Sequence, residues 1–187
     1  MIESRAQWRR WLGKHHARPD GLWLVTWKKT SGGPHVSYDE VVEEALAHGW
    51  IDSKSRALDA ERSMLWLAPR KPRTGWSAPN KARVERLLAA KRMHPAGLAK
   101  IETAKEDGSW TKLDAVEQLT VPPDLAAALK RQPPAAAHFD SFPRSVKRGI
   151  LEWIVQAKRP ETRARRIDET ARLARRNERA NQWSRRT

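Results

Sequence analysis

Residues 37–49, SYDEVVEEALAHG, constrain this chain more than any other stretch. Ser37 stands three residues before Glu40, the spacing of a capping box, so a helix is predicted to start here with its first amides satisfied. Val41, Val42, Ala45 and Leu46 recur at helical spacing and form an apolar stripe. Gly49 sits where a left-handed residue ends a helix. Such a stripe is stable only against another layer, and candidate strands follow at once. WIDSKSRAL (50–58) and SMLWLAP (63–69) flank DAER, which predicts a hairpin.

Upstream, residues 4–16 read as an amphipathic helix with Trp8, Trp11 and Leu12 on one face. After the turn signal RPDG, residues 21–29 read as a strand. Trp23, Val25 and Trp27 share one of its faces and Leu22, Leu24 and Thr26 the other, which predicts a position inside a sheet or between layers. The fold class is therefore α+β. A small, mainly antiparallel sheet of 21–29, 50–58 and 63–69 is backed by the helix at 38–48, with a helical C-terminal part after it.

The helical grammar starts past residue 70. Ser77 is placed to cap a helix with Pro79 in its first turn, and Pro95 and Gly108 bracket another. A seam is predicted near 112–122, giving an α+β domain over 1–115 and a helical subdomain over 120–187 packed on it. Proline pairs introduce two short helices. Val146, Ile150, Trp153, Ile154 and Ala157 then mark an amphipathic helix. A last helix runs from Pro160 through ETRARRIDETARLARRNERA with a thin stripe of Ala164, Ile167, Ala171 and Ala174. The tail NQWSRRT is expected to fray.

Several chemistries are excluded by residue type or spacing. The chain has no cysteine, so disulfides, thiolate metal sites and a cysteine nucleophile are ruled out. None of the six histidines (His15, His16, His35, His48, His94, His138) pairs at i,i+4, and no metal or cofactor is expected. His94 reads as a helix cap before Pro95. There is no GxSxG, no phosphate-binding loop and no GxGxxG. The charged N-terminus does not read as a secretory signal, and no apolar window is long enough to span a membrane, so a cytoplasmic location is expected.

Charge and tryptophan carry what remains. The net charge is +15 over 187 residues, and ten tryptophans stand against two phenylalanines and one tyrosine. Most of the indoles are expected to be core. Trp50, Asp52 and Lys54 alternate onto one side of their strand, and Asp is a poor strand former. A hairpin brings Asp52 within reach of Arg70. Trp76, Ser77 and Asn80 follow at a helix N-terminus, where free N–H groups suit an anion. With Lys28 they form a candidate Trp-lined cleft for a small polar or anionic ligand. The plainer alternative is a structural Asp52–Arg70 pair under a Trp lid.

Residues 141–187 hold 14 Lys and Arg against 5 Asp and Glu. Arg163, Arg165, Arg166, Arg172, Arg175, Arg176 and Arg179 are positioned either to follow a phosphate backbone or to pair with Glu161, Asp168, Glu169 and Glu178 on a solvated helix.

Four motifs in order, GWID (49–52), PR with WSAPN (69–80), RMHPAG (92–97) and AKRPETRARR (157–166), resemble the bacterial YdeI/OmpD-associated, or bacteriocin-protection, family. The resemblance implies an α+β domain with a helical C-terminal part and a stress- or resistance-linked role. It implies no enzymatic activity and no cofactor. The resulting expectation is a non-enzymatic binding protein with its ligand at Trp50, Asp52, Arg70 and Trp76. A nucleic-acid-associated protein is the alternative, and an enzyme using Asp52 as acid or base the third reading. Protein partners are left open.

Overall fold

The computed structural model describes residues 1–182; the fraying expected of the tail falls mainly on 183–187, outside the described residues. The chain divides into two compact units, Met1–Thr111 and Lys112–Thr187. The first is the α+β part and the second is helical.

In the first unit β1 (Leu22–Trp27), β2 (Trp50–Ala57) and β3 (Arg62–Pro69) form one antiparallel sheet in the order β1-β3-β2. The hairpin closes as read: Leu58 and Asp59 N–H donate to the Arg62 carbonyl, and Asp59 Oδ1 accepts from the Glu61 and Arg62 amides. β1 is an edge strand and not interior, because β3 pairs with β2 on one side and takes β1 on the other, Trp23 opposite Trp66. A register shift between Asp52 and Ser55 breaks the predicted alternation. The bulge brings Ser55, in place of Lys54, onto the Asp52 side.

One face of the sheet carries α1 (Arg5–His15) and α2 (Tyr38–Ala47), and Trp8, Leu12, Val41, Ala45, Leu24, Leu67 and Trp50 form the core between them. The capping box of Ser37 and Glu40 is complete. α2 buries the predicted stripe and also Glu44 and Ala47. Val42 and Leu46 of the stripe meet α3 (Ala78–Ala89) and α4 (Pro95–Glu106) through Val84, Leu87, Ile101 and Trp76. Of the described tryptophans Trp8, Trp50 and Trp76 are buried and Trp11, Trp110 and Trp153 are partly buried against the cores, while Trp23, Trp27 and Trp66 stand outside them.

The second unit is built from α5 (Asp114–Glu117), α6 (Pro123–Lys130), α7 (Ala135–Ser141), α8 (Arg144–Val155) and α9 (Pro160–Arg175) around Leu125, Leu129, Phe139, Ile150, Ile154 and Ile167. The stripe of α9 differs from the prediction: Ala164 is exposed and Thr170 is buried beside Ile167, Ala171 and Ala174. The Thr170 hydroxyl donates to the Arg166 carbonyl at 2.7 Å, which satisfies it inside the core. No helix among the described residues is long and apolar enough to cross a membrane.

Candidate functional site

β3 delivers Arg70 into the first unit. The Arg70 amide donates to the Gly49 carbonyl at 2.9 Å, extending the ladder one step beyond Pro69. Gly49 ends α2 at φ +79°, and an added Cβ there meets the Ala96 carbonyl and Lys100 Cγ at 2.9 Å. Only glycine lets helix, strand and α4 converge here.

The Arg70 side chain then lies over Trp76, its guanidinium carbon 3.6 Å from a ring centroid, and the residue is 3% exposed. Nη2 donates to the Thr74 carbonyl (3.2 Å) and the Gly75 carbonyl (2.6 Å). Nε and Nη1 are buried with no partner among the described residues, and so is Trp76 Nε1. Burial pulls the guanidinium down from its usual range to about 10, with the Asp52 charge opposing that shift. The loop over the site is held by Asp107, whose Oδ2 accepts from the Arg73 amide and Oδ1 from the Ser109 amide, both at 2.8 Å. Arg70, Lys71, Trp76, Lys100, Thr103 and Ser109 are among the residues around a space of about 10 Å³, room for one water.

Asp52 does not ion-pair with Arg70. Its Oδ2 accepts from the Tyr38 hydroxyl at 2.7 Å, and burial with this bond raises the phenol to about 12. Trp50 is fully buried in the core on the α1 side, its Nε1 donating to the His16 carbonyl at 2.9 Å, and it does not border the Arg70 space. Ser77 occupies the cap position of α3 without a side-chain cap bond, and Asn80 Oδ1 accepts from Arg83. Lys28 donates to the Asp59 and Ala60 carbonyls and lines a separate cavity of about 250 Å³ with Trp27, His35 and Tyr38. The structure thus brings Arg70 and Trp76 together, with Asp52 near in charge only, and sets the other four apart.

The C-terminal arginines divide. Arg163 pairs with Asp124 (2.8 Å), Arg166 donates to the Trp153 carbonyl and stacks on that indole, and Arg176 pairs with Glu178 (3.1 Å). Arg179 lies 6.0 Å from the Phe142 ring. Arg165, Arg172 and Arg175 are exposed and make no hydrogen bond or ion pair among the described residues. A cleft of about 430 Å³ lies between α6 and α9 and is backed by Ala128, Ala164 and Ile167, but its Arg163 and Asp124 satisfy each other.

Two clusters carry no signal in the sequence. His16, His48 and His94 meet with ring centroids 4.6 to 6.4 Å apart, from the ends of α1 and α2 and the start of α4. His94 caps α4 as read, accepting from the Ala96 amide. His48 and His94 stack, and no group of three or more His, Asp or Glu among the described residues is arranged to hold a metal ion. Beside them Glu44, 2% exposed, accepts from Arg5, Arg9 and Arg92.

Residues 1–100 match a family model described as a domain of unknown function (DUF8412), and residues 118–177 match one described as bacteriocin-protection, YdeI or OmpD-associated. No curated protein and no solved structure matches the chain. The chain belongs to the DUF8412 family over its first 100 residues and carries a YdeI/OmpD-associated domain at 118–177.

Proposed function

We propose that this protein binds a small anion through Arg70 and Trp76, without catalysing a reaction on it. The observation that carries the reading is the pair of buried guanidinium nitrogens, Nε and Nη1, that have no partner, next to an unpartnered indole N–H. Leaving such donors unmet costs about 1–3 kcal/mol each, and an acceptor oxygen recovers that. The space of about 10 Å³ takes one oxygen or a monatomic ion, so the remainder of a larger ligand lies outward, toward Lys71 and Lys100. The bacteriocin-protection description of the family matched at 118–177 supports a protective, resistance-linked role for this binding.

Thermal melts in phosphate, acetate and chloride at constant ionic strength test the reading. Ligand at 100 times Kd adds about 2.7 kcal/mol to the stability of a protein that binds it only when folded. The expected result is a rise in Tm with at least one of these anions in the wild type and none in Arg70→Met. Equal responses in both proteins, or none in either, overturn it.

A further inference from the structure

The α1 and α2 side of the sheet is packed, but the opposite side is not. The residues that alternate onto that side, Trp23, Val25 and Trp27 from β1 and Met64 and Trp66 from β3, are all only partly buried. Leu24 and Leu67, on the packed side, are buried. Trp27 lines the cavity shared with His35 and Tyr38, so two of the ten tryptophans, Trp23 and Trp66, make up the open part of this face.

Its cations are placed on the rings. Trp23 and Trp66 meet edge to face, centroids 5.4 Å apart. Arg56 stands opposite Met64 on the far strand and reaches across β3, its guanidinium carbon 4.2 Å from the Trp23 centroid. It is exposed and has no carboxylate partner among the described residues. Lys54, in the bulge, is also exposed. Arg62 lies 6.0 Å from Trp27 but is held by Asp59 at 2.6 Å, so it supplies no free charge.

We infer that this face is a stacking platform for single-stranded nucleic acid, two to three bases lying on Trp23, Trp66 and the Arg56 plane while Lys54 and Arg56 meet the phosphates. A four-stranded sheet that binds RNA through its aromatic side chains stacks two or three bases, and this face carries aromatic rings in the same kind of array. Aromatic rings stack any base, and guanidinium planes extend the same surface, which makes binding tolerant of sequence. The chemistry favours this occupant over an apolar protein surface because the face keeps an unpaired guanidinium over the Trp23 indole in a chain of net charge +15. This surface is separate from the Arg70 site, so each reading stands or fails without the other.

The test is fluorescence anisotropy of a fluorescein-labelled ten-nucleotide oligothymidylate with the full chain across salt concentrations, alongside tryptophan quenching. Two phosphate contacts give a log–log salt slope near −1.4 on a single strand. Trp23→Leu is expected to weaken binding about tenfold with the slope unchanged. Arg56→Ser is expected to weaken binding and to make the slope shallower by about 0.7. The triple variant Arg165→Ser, Arg172→Ser, Arg175→Ser is expected to retain the dependence on Trp23. Circular dichroism checks the fold of Trp23→Leu, and Arg56→Ser, on the exposed edge strand, carries the test if that variant unfolds. No binding at about 50 mM salt overturns the proposal, as does binding indifferent to Arg56, or duplex bound as tightly as single strand. Self-association through Trp23 without oligonucleotide binding, which marks a protein contact, also overturns it.

Discussion

The Arg70 guanidinium carbon lies 3.6 Å from the Trp76 ring centroid, and no carboxylate among the described residues is bonded to it. A cation buried on an indole instead of against an acid has a pH signature. Burial holds Arg70 at about 10 when folded, well below its ordinary value. A basic group depressed in this way costs stability wherever both states are charged, below pH 10. The cost shrinks as pH rises through the folded value and is gone above the unfolded one. Urea denaturation at pH 8 and pH 11 is therefore expected to shift by roughly 1 kcal/mol in favour of the wild type relative to Arg70→Met, other groups cancelling between the proteins. An unchanged difference removes the buried-charge account.

Glu44 is the opposite case, a buried carboxylate with three arginines. Burial pushes its pKa up, but the hydrogen bonds from Arg9 and Arg5 outweigh that and hold it below 4.5. Its contribution to stability is present above the unfolded value and is lost as pH falls through the depressed folded one. Glu44→Gln removes the charge that Arg5, Arg9 and Arg92 share and is expected to cost about 3–5 kcal/mol. A chemical denaturation midpoint close to that of the wild type rules this out.

The histidine cluster acts in a different window. Burial lowers His48, with the neighbouring His94 and His16 adding to it and the Glu44 carbonyl opposing; burial and then His16 lower His94. The unfolded chain takes up these protons first, so stability is intact above pH 6.5 and declines as pH falls from there through the depressed values. His48→Gln is expected to flatten the pH 5–7 limb while leaving the acid limb set by Glu44. A wild-type Tm constant between pH 7 and 5 sinks this prediction.

What the sequence made legible was local. The Ser37–Glu40 box and the DAER hairpin are decided by neighbours within four residues, and both formed. The edge position of β1 was not legible, because its pairing with β3 joins Trp23 to Trp66 across the whole helix α2. Asp52 was assigned to Arg70 on hairpin logic, yet Tyr38, in the first turn of α2, takes it with a 2.7 Å bond. Trp50 and Trp76 look alike in sequence, and both are buried, but only Trp76 lies beneath Arg70. His16, His48 and His94 are far apart in the chain, so no spacing rule links them.

Two glycines separate backbone need from mere tolerance. Gly49 has φ +79° and a would-be Cβ 2.9 Å from the Ala96 carbonyl oxygen, which is backbone and cannot swing aside. Gly13 lies within α1, where an added Cβ meets nothing within 4 Å. The same substitution is therefore expected to act with opposite sign. Gly13→Ala gains helix propensity and stabilises by about 0.5–1 kcal/mol. Gly49→Ala adds left-handed strain to a displaced α4 and is expected to cost about 2–3 kcal/mol. Because the Gly49 carbonyl holds the Arg70 amide at 2.9 Å, the same variant should also blunt the anion-dependent rise in Tm, which Gly13→Ala leaves intact. Equal Tm shifts from the two substitutions would show that the end of α2 does not set the position of Arg70.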